Sequence, residues 1–200
     1  MYPNSVLDLI NSFKKLPGIG QKTAERLAFS VIDNFNDEDY ELFYNSFIEV
    51  KSNIRRCKKC NMITDQDICN ICSDKTRNSD SLIVVESFKD VYAIEKIGNF
   101  NGYYYVLGGL ISPFDGINPE DLNLDLLFKR VKDEGIKELI FVVKSGIEAD
   151  TTVLYVKKSL ENLSVKISKV ANGIPVGADM DYIDTLTLES ALNNRKEVIY

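Results

Sequence analysis

KELIFVVKSGIEADTTVLYVKKSL, Lys137 to Leu160, changes its period at a glycine. KELIFVV is a short apolar, branched run that reads as a buried strand, and TTVLYVKKSLEN, from Thr151, reads as a helix. The same alternation extends both ways along the chain. Upstream, SLIVVES (81–87) predicts a strand, DVYAIEKIG (90–98) a short helix capped by Asp90, YYYVLGG (103–109) a second strand, and NLDLLFKRVKDEG (123–135) an amphipathic helix closed by Gly135. Downstream, SVKISKV (164–170) predicts a fourth strand. Strands alternating with helices imply a mainly parallel sheet covered by helices, with sites at the carboxyl ends of its strands.

Two of those strand ends carry acids. Glu86 closes LIVVE, and Glu148 with Asp150 follows IFVVKSG. Two readings stand side by side. Three carboxylates converging on one edge of the sheet can hold magnesium for phosphoryl transfer. Equally, Glu148 and Asp150 can favour the N-terminus of the next helix through its dipole, leaving Glu86 a strand-end surface acid.

Ahead of the sheet the pattern is helical. LPGIGQKTAERLAFSVI opens on Leu16-Pro17-Gly18-Ile19-Gly20, then places Ala24, Leu27, Ala28 and Val31 on one face. Gly18 and Gly20 let the backbone turn between the preceding helix, SVLDLINSFKKL, and this one, while Ile19 fills the gap: a helix-hairpin-helix pattern. Bare amides at the start of the second helix can receive a phosphate, and Lys22 and Arg26, one turn apart, add charge. The competing reading is an ordinary glycine-containing helical turn. A third helix, DEDYELFYNSFIEV, leads into the cysteines.

All four cysteines lie between Cys57 and Cys72, as two C-x-x-C pairs, Cys57/Cys60 and Cys69/Cys72, with eight residues between them. Each pair can turn both thiolates toward one ion, and a short hairpin can bring the second pair back to complete a tetrahedron around zinc. With every position filled by protein, such an ion is structural. Residues 54–76 are too few for a core of their own, and zinc binding of about 10 kcal/mol or more can replace one. Lys51, Arg55, Arg56, Lys58 and Lys59 flank the site without an intervening acid. They either balance the charge of a tetrathiolate site or contact phosphate.

Composition narrows the classes further. There is no histidine, which excludes a Ser-His-Asp triad, a Cys-His pair and histidine-liganded zinc. A net charge of -6 argues against a surface that coats nucleic acid throughout. The longest apolar runs, such as LIFVV at 139–143, are far below the roughly 18 residues of a membrane span, and the N-terminus lacks a basic-then-apolar signal pattern. A cytoplasmic protein with no membrane association is expected.

The order of these motifs resembles the RecR recombination mediator family of bacteria. The resemblance is carried by LPGIGQKTAERLAF, the four cysteines with ICSDKTRNSDSLIVVES, YYYVLGGLISPFDGINPEDL, GIEADTTVLYV and ANGIPVGADMDYIDTLTLESAL. It implies an α+β chain in four parts: a helix-hairpin-helix region (1–53), a four-cysteine zinc finger (54–76), a Toprim-type α/β domain (77–171) and a C-terminal assembly segment (172–200). It also implies a homotetrameric ring that clamps single- or double-stranded DNA near the nucleoid. In that role it works with RecO and RecF to load recombinase during recombinational DNA repair. DNA contacts then fall on Lys22 and Arg26 with Gly18 and Gly20, one structural zinc on Cys57, Cys60, Cys69 and Cys72, and relic or partner-binding Toprim acids on Glu86, Glu148 and Asp150.

Departures bear on catalysis. Toprim enzymes present an Asp-x-Asp pair, where this chain has Glu148-Ala149-Asp150, and Lys144 brings positive charge close to the acids. Ala178 and Asp181 replace an expected glycine and glutamate in the C-terminal motif. A non-catalytic DNA-binding mediator is therefore the leading expectation. The alternatives are a magnesium-dependent Toprim nuclease or phosphoryl-transfer enzyme, and a zinc-stabilised adaptor without DNA contact.

Overall fold

The computed structural model describes residues 2–171, 173–195 and 197. The chain divides into two compact units, Met1–Ile54 and Arg55–Tyr200. In the first, α1 (Asn4–Lys14) and α2 (Gln21–Asn34) pack through Ile10, Ala24 and Ala28, ringed by Val6, Leu9, Phe13 and Ile19. Two alanines on α2 present little bulk, so the helices can approach closely, and Ile19 packs against their seam as the sequence suggests. α3 (Asp37–Asn53) starts at a capping box in which the Asn36 side chain accepts from Asp39 N–H and the Asp39 carboxylate accepts from Asn36 N–H. Of its 17 residues none is buried.

The second unit begins with a two-stranded hairpin, β1 (Arg55–Arg56) and β2 (Ile63–Thr64), followed by the one-turn helix α4 (Asn70–Ser73). Four parallel strands follow: β3 (Ser81–Val85), β4 (Tyr103–Val106), β5 (Glu138–Val142) and β6 (Lys166–Lys169), in the spatial order β4-β3-β5-β6. Between them run α5 (Phe88–Glu95), α6 (Leu124–Glu134) and α7 (Ile147–Ser159). Side chains alternate across the sheet as the pleat requires. Leu82, Val84, Tyr105, Leu139 and Phe141 share one core with Leu127 and Val131 of α6 and Val156 of α7. Ile83, Val85, Tyr104 and Val106 face the other way, against Val91 of α5 and all four cysteines. The chain leaves β3 toward β4, then reverses past β3 to β5. That reversal puts α5 and α6 on opposite faces and opens a crevice at the carboxyl ends of β3 and β5.

Two element boundaries differ from expectation. Ser87, not Asp90, caps α5; Asp90 fills the third helical position, its carboxylate accepting from Ser87 N–H in a capping box. α7 begins at Ile147 rather than Thr151, taking Glu148 and Asp150 into its first turn. Of the expected assembly segment 172–200, positions 172, 196 and 198–200 lie outside the described residues. The described part holds a 3-10 turn at Met180–Tyr182 and α8 (Thr185–Asn193), capped by Asp184.

Candidate functional site

The two glycines of the hairpin turn differ in what the backbone asks of them. Gly18 sits at φ 80°, a region open to glycine and strained for other residues. Gly20 is the N-cap of α2 with ordinary extended geometry, and no side chain caps the helix there. A Cβ on Gly20 would meet nothing within 4 Å, so the uncapped amides open onto free space. Lys22 and Arg26 are exposed, on the side of α2 away from buried Ala24 and Ala28. An uncapped positive helix end with two cations a turn apart is an arrangement that can receive a phosphate.

The cysteines form a compact donor set. All four sulfurs are buried and lie within 4.8 Å of one another, with Cys60 and Cys69 Sγ 3.5 Å apart and no disulfide among them. Zinc–sulfur bonds of about 2.3 Å place tetrahedral sulfurs roughly 3.8 Å apart, which this arrangement accommodates. Backbone amides point at the sulfurs: Cys69 N–H donates to Cys57 Sγ at 3.3 Å, and Cys72 N–H to Cys69 Sγ at 3.5 Å. Hydrogen bonds shared with Cys60, Cys69 and Cys72 hold the Cys57 thiol far below its ordinary range, while those with Cys57 push Cys60 and Cys72 up. The sulfurs thus share protons that a divalent cation displaces on binding. The first knuckle is itself the turn of the β1–β2 hairpin, closed by Cys57 N–H donating to Met62 O at 2.7 Å and by Asn61 at φ 60°. Sequence spacing had placed a hairpin between the two pairs instead.

The flanking cations are largely engaged within this unit. Lys58 pairs with Asp67 at 2.6 Å, Lys59 with Glu134 at 2.9 Å, and Arg55 lies 3.6 Å from Asp67. Arg56 donates to Asn61 O and lies over the Phe88 ring. Four of the five therefore serve the zinc module's own structure and charge.

Glu86 and Glu148 come together at the sheet crevice with Lys144 between them, its Nζ 3.7 Å and 3.4 Å from their carboxylates. Hydrogen bonding to Glu148, then the charge of Glu86, raises the Lys144 pKa. Asp150 does not join them. It accepts from Lys169 Nζ at 2.6 Å, toward β6. The reason is helical geometry: two positions apart in α7, Glu148 and Asp150 project about 200° from each other. Among the described residues the cysteines form a metal-type cluster of three or more donors and these acids do not. Ser112 Oγ donates to Asp115 at 2.7 Å and lies 3.2 Å from Glu148, and buried Thr152 accepts from Ile111 N–H, so the loop after β4 is tied to α7.

Sequence reasoning missed Arg130, Asn61 and Thr152. Arg130 left a signal: it falls on the stripe of Leu124, Leu127 and Val131 that α6 buries, an unusual place for a charge.

The hairpin, tetrathiolate site and parallel sheet define a zinc-bearing protein of the helix-hairpin-helix and Toprim type. Known family models match in the same order along the chain: RecR helix-hairpin-helix at 6–42, RecR four-cysteine zinc finger domain at 54–74, Toprim domain at 80–171 and RecR C-terminal at 173–196. The chain belongs to the RecR family, whose domains are those of a DNA repair recombination mediator. Its four cysteines fit one structural zinc. Among the described residues no helix is long and apolar enough to cross a membrane.

Proposed function

We propose that the chain is a non-catalytic mediator that grips DNA phosphates through its hairpin, closes into a tetrameric ring or clamp, and works with RecO and RecF to promote recombinase loading. The observation that carries this reading is the uncapped start of α2 at Gly20, with Lys22 and Arg26 on the exposed face of the helix. Exposed apolar faces on α3 and α8 support assembly. The Toprim-type magnesium enzyme is disfavoured because Lys144 occupies the gap between Glu86 and Glu148 while Asp150 is turned to Lys169. We assign Glu86 and Glu148 instead to a charged face for a basic partner surface, as on RecO.

The test is DNA affinity, by fluorescence anisotropy with single- and double-stranded oligonucleotides over a series of salt concentrations. Lys22→Ala and Arg26→Ala should each weaken binding to a similar degree on unrelated sequences, because phosphate contacts carry no base information. Each should flatten the log-log salt slope by about 0.7 to 0.9. Parental affinity and slope in the double variant would mean that the hairpin is structural, and the adaptor reading would replace this one.

A further inference from the structure

We infer that Arg130 is the positioning residue of the zinc centre: it clasps the first cysteine knuckle to the edge of the sheet and supplies buried positive charge beside the thiolates. The lifetime of bound zinc would then be set in part by a side chain far outside the cysteine motif.

The geometry begins at β4, the edge strand. Residues 104 and 106 direct backbone groups outward, away from β3, where an edge strand leaves donors and acceptors without partners. Here they are taken up. Val106 N–H donates to Cys60 O at 2.9 Å, and Asn61 Nδ2 donates to Val106 O at 2.7 Å. Tyr104 O accepts from Arg130 Nη1 at 2.9 Å. The knuckle and the arginine thus line up along one strand edge.

Arg130 belongs to α6, whose apolar side packs on the opposite face of the sheet from the cysteines. Its side chain reaches β4 while remaining 5% exposed. The same Nη1 lies 3.4 Å from Lys59 O, in the turn between Cys57 and Cys60, and Nε donates to Glu134 at 2.9 Å. Glu134 in turn takes Lys59 Nζ at 2.9 Å. Lys59 is therefore held from α6 at two points, carbonyl by Arg130 and ammonium by Glu134. The guanidinium also lies 5.4 Å from the centre of the Tyr103 ring.

Four thiolates around one dication leave two negative charges in a buried place, and a buried charge needs a counter-charge and hydrogen bonds. The exposed lysines of the knuckle are screened by water. Arg130 is not. Only a planar, forked cation can satisfy Glu134, Tyr104 O and Lys59 O together while stacking on an aromatic face.

The experiment follows zinc release from the full-length, zinc-loaded protein into a chromophoric chelator, with unfolding in urea measured separately. Arg130→Met, which keeps the stem and loses the charge, should release zinc at least tenfold faster than the parent. Arg130→Lys should fall between them, and Lys129→Met, on the same helix, should match the parent. In cobalt-loaded protein the thiolate-to-metal absorption should shift more in the methionine variant than in the lysine variant. Faster release that merely tracks a faster global unfolding rate, with the cobalt spectrum unchanged, overturns the inference and leaves Arg130 a packing residue. Should Arg130→Met not fold, Arg130→Lys and Glu134→Gln decide instead: faster release supports the clasp, and parental rates in both overturn it.

Discussion

Arg77 grips both carboxylate oxygens of Glu95, at 3.0 and 2.6 Å, and donates to Gly102 O, while Tyr104 Oη donates to the same carboxylate at 2.6 Å. The residue that links the zinc module to the sheet is thereby fixed to α5. Hydrogen bonding from Arg77 holds the Glu95 carboxyl below its usual range, outweighing the opposing effect of burial. The sign follows from linkage. A carboxyl depressed on folding binds fewer protons in the native state, so its contribution is complete above the unfolded value of about 4.3 and is lost as pH falls through the lower native value. Urea midpoints should therefore decline as pH drops from 5 toward 3, and Glu95→Gln should lower the midpoint at pH 7 while flattening that decline. Both proteins carry the same thiolate site, so acid release of metal affects them alike; parallel pH profiles would remove Glu95 from the account. None of this was legible beforehand, because Arg77 and Glu95 are 18 residues apart and nothing in their local pattern couples them. Lys22 and Arg26 were legible, since helical period alone places them opposite the alanines. The scattering of the acids was not, because it depended on where α7 begins.

At the scale of elements, the zinc hairpin acts as part of the sheet's second cover. Cys57, Cys60, Cys69 and Cys72 pack in the same cluster as Ile83, Val85, Tyr104 and Val106, and Cys60 O takes the Val106 amide at the strand edge. Removing the metal should leave four sulfurs with no shared ligand and release the knuckle from β4. We expect chelation to expose that apolar face, measured as binding of a hydrophobic dye, and to speed hydrogen exchange at Val106 well before global unfolding. The opposite face, with Leu127 and Val156, should stay protected. Uniform loss of protection on both faces would mean that the module and sheet unfold as one. The strands were readable because each is a short apolar run between turn residues, and Gly135 closes α6 at φ 65° as its position suggested. The start of α7 was not, because Ile147 is exposed and breaks the apolar period that marks a helix on a core. Nor could cysteine spacing reveal that the first knuckle, rather than the longer interval, makes the hairpin turn.

Across the whole molecule, apolar surface remains where a lone chain has no use for it. Leu42 is 63% and Phe47 72% exposed on α3, with Phe43 and Val50 beside them, and in the C-terminal segment Tyr182 is 89% and Leu186 77% exposed. Patches of this kind mark interfaces. In the proposed assembly each patch pairs with its own copy, which gives isologous contacts of two kinds, and four subunits close into a ring when the two pairing axes meet at right angles. Such a ring also reconciles a chain of net charge -6 with DNA binding, since each subunit needs to offer only its hairpin cations and closure raises their effective concentration. Phe47→Glu places a charge in the first interface and Leu186→Glu in the second. Each should reduce the mass measured by light scattering from four chains to two, and the double variant should run as a single chain. DNA affinity should fall far more with assembly than the loss of any one phosphate contact explains, because the surviving dimer still carries every hairpin residue. A parent that is a single chain at micromolar concentration, or a single substitution that already yields one, would rule out a ring built from two separate self-pairing faces.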